Sequence, residues 1–338
     1  MYILGMESSC DETSAAVVEM GEGVRAIRSN IVASQIETHR LYGGVVPEIA
    51  SRAHIEAISR ITYQALEEAG ITVADLGAVA VTAFPGLIGA LLVGVNFAKS
   101  LAFSRKLPLV AVNHIHGHVA AAYLSHPDLE PPFLALVVSG GHTSFYRVTD
   151  YTEFCEIGGT RDDAAGEAFD KIGRVIGLPY PGGAALDKLA YEGDPKAIAL
   201  PSPALGKDTL DLSFSGIKTA TLNYLNGMTQ KGQEVNRADV AASYTYRIVQ
   251  AITQKAELAL KETGMKTLVL AGGVAANSHL RASLEGLCRR LGVKLCMPDR
   301  SLCGDNGAMI AAAGYFRYLR REFADTSLNA SANDDYNV

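Results

Sequence analysis

An α/β fold built from two related lobes is what this sequence predicts, on three observations. Helix-like segments alternate with short apolar runs: AHIEAISRITYQALEEAG, then AVAVTAF, then LIGALLVGVNFAKSLAF, then LPLVAVNH. That alternation belongs to α/β chains rather than to chains that segregate helices from strands. Next, YILGMESSCDETSAAVVEM is two apolar runs around a polar turn, and PFLALVVSGGHTSFYRV repeats the plan around SGGHT. Both read as β-hairpins, weakly alike in identity but alike in physical design. Finally, 338 residues are long for one domain and comfortable for two. The expected first lobe is residues 1–115, with a terminal helix over 306–325 packing back on it. Residues 116–305 form the expected second lobe, and 326–338 a loose tail.

Each element has a local reason. No residue from Leu76 to Phe97 is charged, a stretch long enough to span a bilayer. Pro85, Gly86, Gly89, Gly94 and Asn96 interrupt it, however, so it reads as a buried strand, a Pro-Gly turn and a packed helix. Further on, DDAAGEAFDKIGRVIGL has helical apolar spacing and stops before Pro179. A long helix runs from an Asn236 cap, with Asp239 in its first turn, to Gly264 as stop signal. Strand KTLVLAGG, helix ANSHLRASLEGLCRRLG, strand VKLCMP and helix NGAMIAAAGYFRYLRREF follow. The final ADTSLNASANDDYNV lacks an apolar period.

Composition narrows the function classes. A 48% hydrophobic and 20% charged content is that of an ordinary soluble globular protein. The net charge of −6 gives no general attraction for nucleic acid, so any RNA contact needs a local basic patch or partner proteins. Arg289, Arg290, Arg317, Arg320 and Arg321 cluster on expected helices and read as solvated faces. Five scattered cysteines without a CxxC, and a start without a signal peptide, point to a reducing cytoplasm.

The chemistry-bearing residues begin with His114 and His118 in VNHIHGHVAAAY. Four residues apart on a helix, both rings can face one ion, or both can be ordinary buried histidines. Ile115 stands where a zinc protease of the HExxH type carries its base, and His116 points elsewhere. A distant carboxylate completing a two-histidine, one-carboxylate site suits iron or zinc and leaves positions open for substrate. Asp305, in CGDNGAM, is the acid chosen, though a helix cap is its simple local reading. Ser139, Gly140 and Gly141 in VVSGGHT can offer amides to a phosphate, or form a plain hairpin with glycine at positive φ. In LAGGVAAN, Asn277 can bond a ribose or base; Asp170 and Asp187 can grip ribose hydroxyls or be solvated helix acids. Asp11 and Glu12 sit at the first hairpin tip, where an acid can take a proton from an attacking amine. Cys10 beside them has no indicated histidine partner, which argues against thiol chemistry.

Taken in order, GMESSCDETSAAVV, GGVVPEIASRAHIE, AFPGLIGALLVG, VNHIHGH, LVVSGGHT, DDAAGEAFDKIGRVIGLPYPGG, SFSGIKTA, LAGGVAANSHLR and CGDNGAMIAAAG resemble the TsaD family. That family is the threonylcarbamoyl-transferring subunit of the tRNA threonylcarbamoyladenosine machinery. The resemblance covers nearly the whole chain up to about Phe323. It implies the two-lobed fold of actin, sugar kinases and the Hsp70 ATPase (ASKHA), with a duplicated βββαβα-type core. It implies His114, His118 and Asp305 as ligands of one divalent ion, iron (Fe2+) or zinc. It also implies that Val137, Val138, Ser139, Gly140, Gly141, Asp170, Gly183, Asp187 and Asn277 hold threonylcarbamoyl-AMP. The implied reaction moves threonylcarbamoyl to N6 of the adenosine 3′ of the anticodon, in tRNAs reading codons that begin with A, and releases AMP. Implied partners are a shorter paralogous subunit of the same fold (TsaB) and a small ATPase (TsaE). His116 stands where many bacterial relatives carry an acid. A nucleotide-dependent kinase or ATPase of the same superfamily, a metalloprotease and a non-catalytic scaffold are the competing readings.

Overall fold

Two five-stranded sheets, one in each of two units, organise the chain in the computed structural model, which describes residues 1–333. The first unit holds Met1–Glu130, Asp150–Glu153 and the chain from Pro298 onward; the second holds Pro131–Thr149 and Phe154–Met297. In the first, β1 (Tyr2–Glu7), β2 (Glu12–Gly21) and β3 (Val24–Ser34) form successive antiparallel pairs. Then come α1 (Ile36–Arg40), α2 (Pro47–Glu68), β4 (Leu76–Phe84), α3 (Ile88–Arg105), β5 (Leu109–Asn113) and α4 (His114–Ser125). Strand β4 pairs in parallel with both β1 and β5, so the order is β3-β2-β1-β4-β5.

The second unit repeats this plan. It contains β6 (Phe133–Val138), β7 (Thr143–Asp150), β8 (Glu153–Gly159), α5 (Ala165–Val175), α6 (Gly182–Leu189), α7 (Ser215–Gln230) and α8 (Arg237–Thr263). Strand β9 (Thr267–Ala271), α9 (Ser278–Leu291) and β10 (Lys294–Cys296) complete it. Strands β6 and β7 are antiparallel, β6, β9 and β10 parallel, and the order is β10-β9-β6-β7-β8. Matching β6 to β1, β7 to β2 and so on gives the order of the first sheet, so the duplicated core expected from the two hairpins is present. Helix α8 starts at Asn236, whose side chain accepts from the amides of Ala238 and Asp239, and stops at left-handed Gly264.

Helix α10 (Gly307–Leu319) returns to the first unit and packs on β1 and α4. The alternation of side chains along a strand assigns the two faces of the sheet. Leu4, Met6, Val79 and Val81 join Ile58, Ile61, Val95 and Ala98 of α2 and α3 in one buried cluster. On the other face Gly5 meets the backbone of α10 so closely that a β-carbon there would lie 2.1 Å from the Gly307 carbonyl oxygen. Helix α10 therefore rides directly on the strand.

Several expectations need revision. The unit boundary falls at Glu130/Pro131 rather than 115/116, because α4 packs against α10 and β5; residues 298–305 also belong to the first unit. The tail is not loose through the described residues. The Ala324 amide bonds the Leu109 carbonyl (2.8 Å), Lys99 Nζ donates to the Leu328 carbonyl (2.8 Å), and the Ser331 amide bonds Ala83 (2.9 Å). Leu328 is only 4% exposed, in the same cluster as Leu66 and Val95. An irregular strap held by single apolar anchors has no period to read. Residues 334–338 of the expected tail lie outside the described residues. Leu328→Ala is accordingly expected to lower stability by about 2–3 kcal/mol in chemical denaturation; an unchanged midpoint would make the strap ornamental.

Leu76–Phe97 divides into β4 and α3 as the interrupting residues suggest, and no helix of the described residues is long and apolar enough to cross a membrane. All five cysteines are free. Arg317 is not on a solvated face: its side chain is 18% exposed, pairs with Glu322 (2.9 Å), and burial lowers its pKa.

Candidate functional site

Asn113 ends β5 and caps α4, its side-chain oxygen accepting from the amides of Ile115 (2.7 Å) and His116 (3.2 Å). The cap sets where the helix starts, and the four-residue spacing then puts His114 and His118 edge to face, centroids 4.6 Å apart. Asp305 comes to them from the other end of the chain. Its Oδ1 lies 3.6 Å from His114 Nε2 and 3.2 Å from His118 Nε2. The cap of α10 is Asn306, which accepts from Met309 (3.0 Å), so Asp305 does not have the capping role its local sequence suggests. The Gly307 amide donates to Ser14 Oγ (2.8 Å) and ties this turn to β2.

The three ligand atoms fit a cation. They lie within 4.8 Å of one another. Neither ring nitrogen of His118, which is 1% exposed, makes a hydrogen bond among the described residues, although Nε2 is 3.2 Å from Asp305. A short N···O distance without hydrogen-bond geometry is what two donors aimed at a common third point produce. Ligand atoms about 2.0–2.2 Å from one ion stand roughly 3–3.5 Å apart.

Glu7 supports the first histidine. Its Oε2 lies 3.0 Å from His114 Nδ1 and accepts from Thr82 Oγ1 (2.6 Å), while Oε1 accepts from the Ser9 amide (2.5 Å). With Nδ1–H given to Glu7, His114 Nε2 is left as a ligand, the usual carboxylate–histidine–metal arrangement. Burial alone would raise Glu7, but the His114 charge and hydrogen bond outweigh it and lower its pKa. Burial would likewise lower His114, yet Asp305 and Glu7 overcome it and lift the imidazole to about 9. Two carboxylates call for a positive charge between them, from a proton or from a cation. Glu7 belongs to no local spacing motif of the sequence. The available signal was an acid closing the otherwise apolar strand YILGME.

Asp11 lies in the turn of the same hairpin and Glu12 opens β2. Asp11 is buried, and its carbonyl accepts from Gln35 (3.0 Å); Glu12 accepts from Ser34 Oγ (3.1 Å). Burial, then the charges of Asp305 and Asp11, push Glu12 up to about 9. Buried His54 of α2 grips both sides of this pair, Nδ1 at 2.7 Å from Thr13 Oγ1 and Nε2 at 2.9 Å from the Cys10 carbonyl. Burial and the neighbouring acids push the Cys10 thiol up, which disfavours the thiolate, as expected. At His116 burial, then the Arg317 cation, hold the imidazole down at about 3.

The remaining site candidates lie in the second unit. Val137 and Val138 are fully buried in β6, where Val137 pairs with both Ser144 and Ala271. They aim the turn that follows. In that turn the Ser139 amide bonds the His142 carbonyl (2.8 Å) and Ser139 Oγ accepts from the His142 amide (3.1 Å). Ser139 N–H is thus engaged within the hairpin. Gly140 and Gly141 are exposed with open space where a β-carbon would stand, and neither has positive φ. The Gly166 amide of α5 bonds the Ser139 carbonyl (3.2 Å) and ties the turn to that helix. Asp170 of α5 accepts from the Gly183 amide (2.8 Å) at the start of α6. Asp187, later in α6, accepts from the Ser278 amide (3.0 Å), Ser278 Oγ (2.8 Å) and His279 Nδ1 (2.7 Å). Asn277 caps α9 through Leu280 (2.8 Å). The Ser139 turn, α5, α6 and the start of α9 are thereby linked in sequence.

Asp187 yields a pH test. Burial pulls its carboxyl upward, but the His279 and Ser278 donors prevail and hold it below the usual range. A depressed acid stabilises the fold above its unfolded pKa, and that contribution fades as pH falls through the folded value. Wild type should therefore melt above Asp187→Asn at pH 7, with the gap complete down to about pH 4 and closing below it. A gap that widened in acid would contradict the assignment.

The TsaD family model, described as tRNA N6-adenosine threonylcarbamoyltransferase, matches residues 26–312. A relative of that name from Clostridium perfringens is 53% identical over 331 residues, covering 98% of this chain and 97% of its own. Another from Moorella thermoacetica is 54% identical over 328 residues, 97% of this chain and 95% of its own. Among solved structures, component A of the (R)-2-hydroxyglutaryl-CoA dehydratase from Acidaminococcus fermentans superposes with a TM-score of 0.55 at 16% identity. It covers 94% of this chain and 99% of that one, and shows the shared fold alone.

Proposed function

This chain belongs to the TsaD family, the tRNA N6-adenosine threonylcarbamoyltransferases, and from that premise we propose how its residues divide the work. It is a transferase of the ASKHA fold that modifies tRNA at N6 of adenosine. His114, His118 and Asp305 hold one divalent cation, Fe2+ first and zinc second, because two imidazoles and one carboxylate suit both and leave positions open. When bound, the ion supplies Lewis acidity to substrate oxygens. Threonylcarbamoyl-AMP is the donor, held in the second unit by Val137, Val138, Ser139, Gly140, Gly141, Asp170, Gly183, Asp187 and Asn277. The acceptor is the adenosine 3′ of the anticodon in tRNAs reading codons that begin with A. TsaB and TsaE are its partners, and the cytoplasm its place of work.

The exocyclic amine is a weak nucleophile and the carbamic-phosphoric anhydride an activated electrophile, so alignment and proton removal are the protein's tasks. The Gly140–Gly141 turn faces the phosphate with exposed backbone. Asp11 or Glu12 handles the amine proton. Glu7 keeps His114 in the tautomer that a ligand requires.

The observation that carries this reading is the convergence of His114, His118 and Asp305 with Glu7 behind them. The test is reconstitution with tRNA and synthetic threonylcarbamoyl-AMP, read by nucleoside mass spectrometry. Asp11→Asn combined with Glu12→Gln is expected to slow transfer by about 100-fold with the protein still folded. A wild-type rate in that variant ends the proton role. ATP turnover without AMP release from the adenylate would favour the kinase reading instead.

A further inference from the structure

Two polar groups of the second unit that a nucleoside is expected to meet, Asp187 and Asn277, are already engaged. Asp187 Oδ2 accepts from the Ser278 amide (3.0 Å) and Ser278 Oγ (2.8 Å). Its Oδ1 accepts from the His279 amide (3.5 Å) and His279 Nδ1 (2.7 Å). Four donors match the roughly four lone-pair sites of an ionised carboxylate. A ribose hydroxyl arriving at Asp187 must displace one of them. Asn277 has likewise committed its side-chain oxygen to the α9 cap.

The imidazole of His279 is placed differently. With Nδ1–H donated to Asp187, the neutral ring presents Nε2 as an acceptor on its opposite edge. The side chain is 26% exposed. Tyr191 covers one ring face, centroids 4.1 Å apart, and its hydroxyl is 2.8 Å from Ser278 Oγ. A carboxylate behind and an aromatic ring alongside hold the imidazole in one orientation. Gly183 and Asp187 are four residues apart on α6 and share a face. Asp170 meets the Gly183 amide at the start of α6, and His279 meets the Asp187 carboxylate one turn later.

We propose that His279 is a substrate-contacting residue whose Nε2 accepts a hydrogen bond from a ribose hydroxyl of the adenylate, with Asp187 as the positioning residue behind it. The ligand class is a ribonucleoside phosphate with an intact vicinal diol. The inference rests on the reading that the adenylate is held in this unit.

The test is calorimetric binding of AMP, 2′-deoxy-AMP and 3′-deoxy-AMP to the full, metal-loaded chain. Wild type is expected to bind one deoxynucleotide about 10-fold more weakly than AMP, the usual loss of one hydrogen bond. His279→Asn keeps an N–H for Asp187 but lacks the far nitrogen. It should bind AMP as weakly as wild type binds that deoxynucleotide, with the deoxynucleotide itself unaffected. His279→Gln, whose amide reaches the Nε2 position, should recover part of the discrimination. If His279→Asn discriminates as wild type does, or loses all three ligands equally, the proposal fails while adenylate binding by the unit stands. If wild type binds no AMP, or Asp170→Asn leaves AMP affinity unchanged, the underlying reading fails and this inference with it.

Discussion

His118→Ala is expected to empty the candidate metal centre and to reduce threonylcarbamoyl transfer by more than about 100-fold, the upper range seen when only outer-shell partners of a metal are lost. The side chain is 1% exposed and neither of its nitrogens has a hydrogen-bond partner among the described residues, so its removal breaks no other polar interaction there. Folding should survive; metal content, measured by elemental analysis after gel filtration, should not. Asp305→Ala should behave alike, since its carboxylate is the third corner at 3.2 and 3.6 Å from the two imidazoles. Glu7→Gln is the graded control: the amide oxygen can still accept from His114, so metal affinity should fall by about 10- to 100-fold rather than vanish. Full metal occupancy in His118→Ala would remove the centre from the mechanism.

Gly5→Ala should have the largest effect on stability. A β-carbon there would stand 2.1 Å from the Gly307 carbonyl, 2.5 Å from the Ala311 amide nitrogen and 2.8 Å from the Ala311 β-carbon. The opposing atoms are mainly backbone of α10, which cannot rotate away as a flexible side chain can. Overpacking of this kind costs at least about 3 kcal/mol, measurable by urea denaturation. Helix α10 begins two residues after Asp305, so any shift that relieves the clash also moves the proposed third ligand. Weakened metal binding should therefore accompany the lost stability. A Gly5→Ala protein as stable as wild type would mean that strand and helix are less tightly docked than described.

Periodic features were the ones legible in the chain alone. The two hairpins, the β4–α3 division and the Asn236-to-Gly264 helix each follow from a local rule: a polar turn between apolar runs, a Pro-Gly interruption, a cap and a stop. The histidine pair was legible for the same reason, a fixed helical spacing. Asp305 was harder, because its neighbour Asn306 takes the cap and only the fold brings the aspartate to α4. Glu7 and His54 escaped notice because their partners lie 107 residues away at His114 and 44 residues away at Cys10. Long-range polar contacts leave no periodic trace. The tail misled for a related reason: Leu328 anchors it singly, and one leucine among polar residues carries no pattern. At Asp187 and Asn277, local sequence does identify polar residues, but not that their acceptors are taken by Ser278, His279 and Leu280.

The entire second unit is spliced into the first between α4 and the turn that carries Asp305. During synthesis the two imidazoles and Glu7 emerge early, and the aspartate only after about 190 further residues, a delay of roughly 10–40 s at ordinary elongation rates. A nascent or prematurely terminated chain thus lacks one of the three proposed ligands. On the proposed metal role, loading of a cation would be a late checkpoint, reached after the inserted unit has left the ribosome.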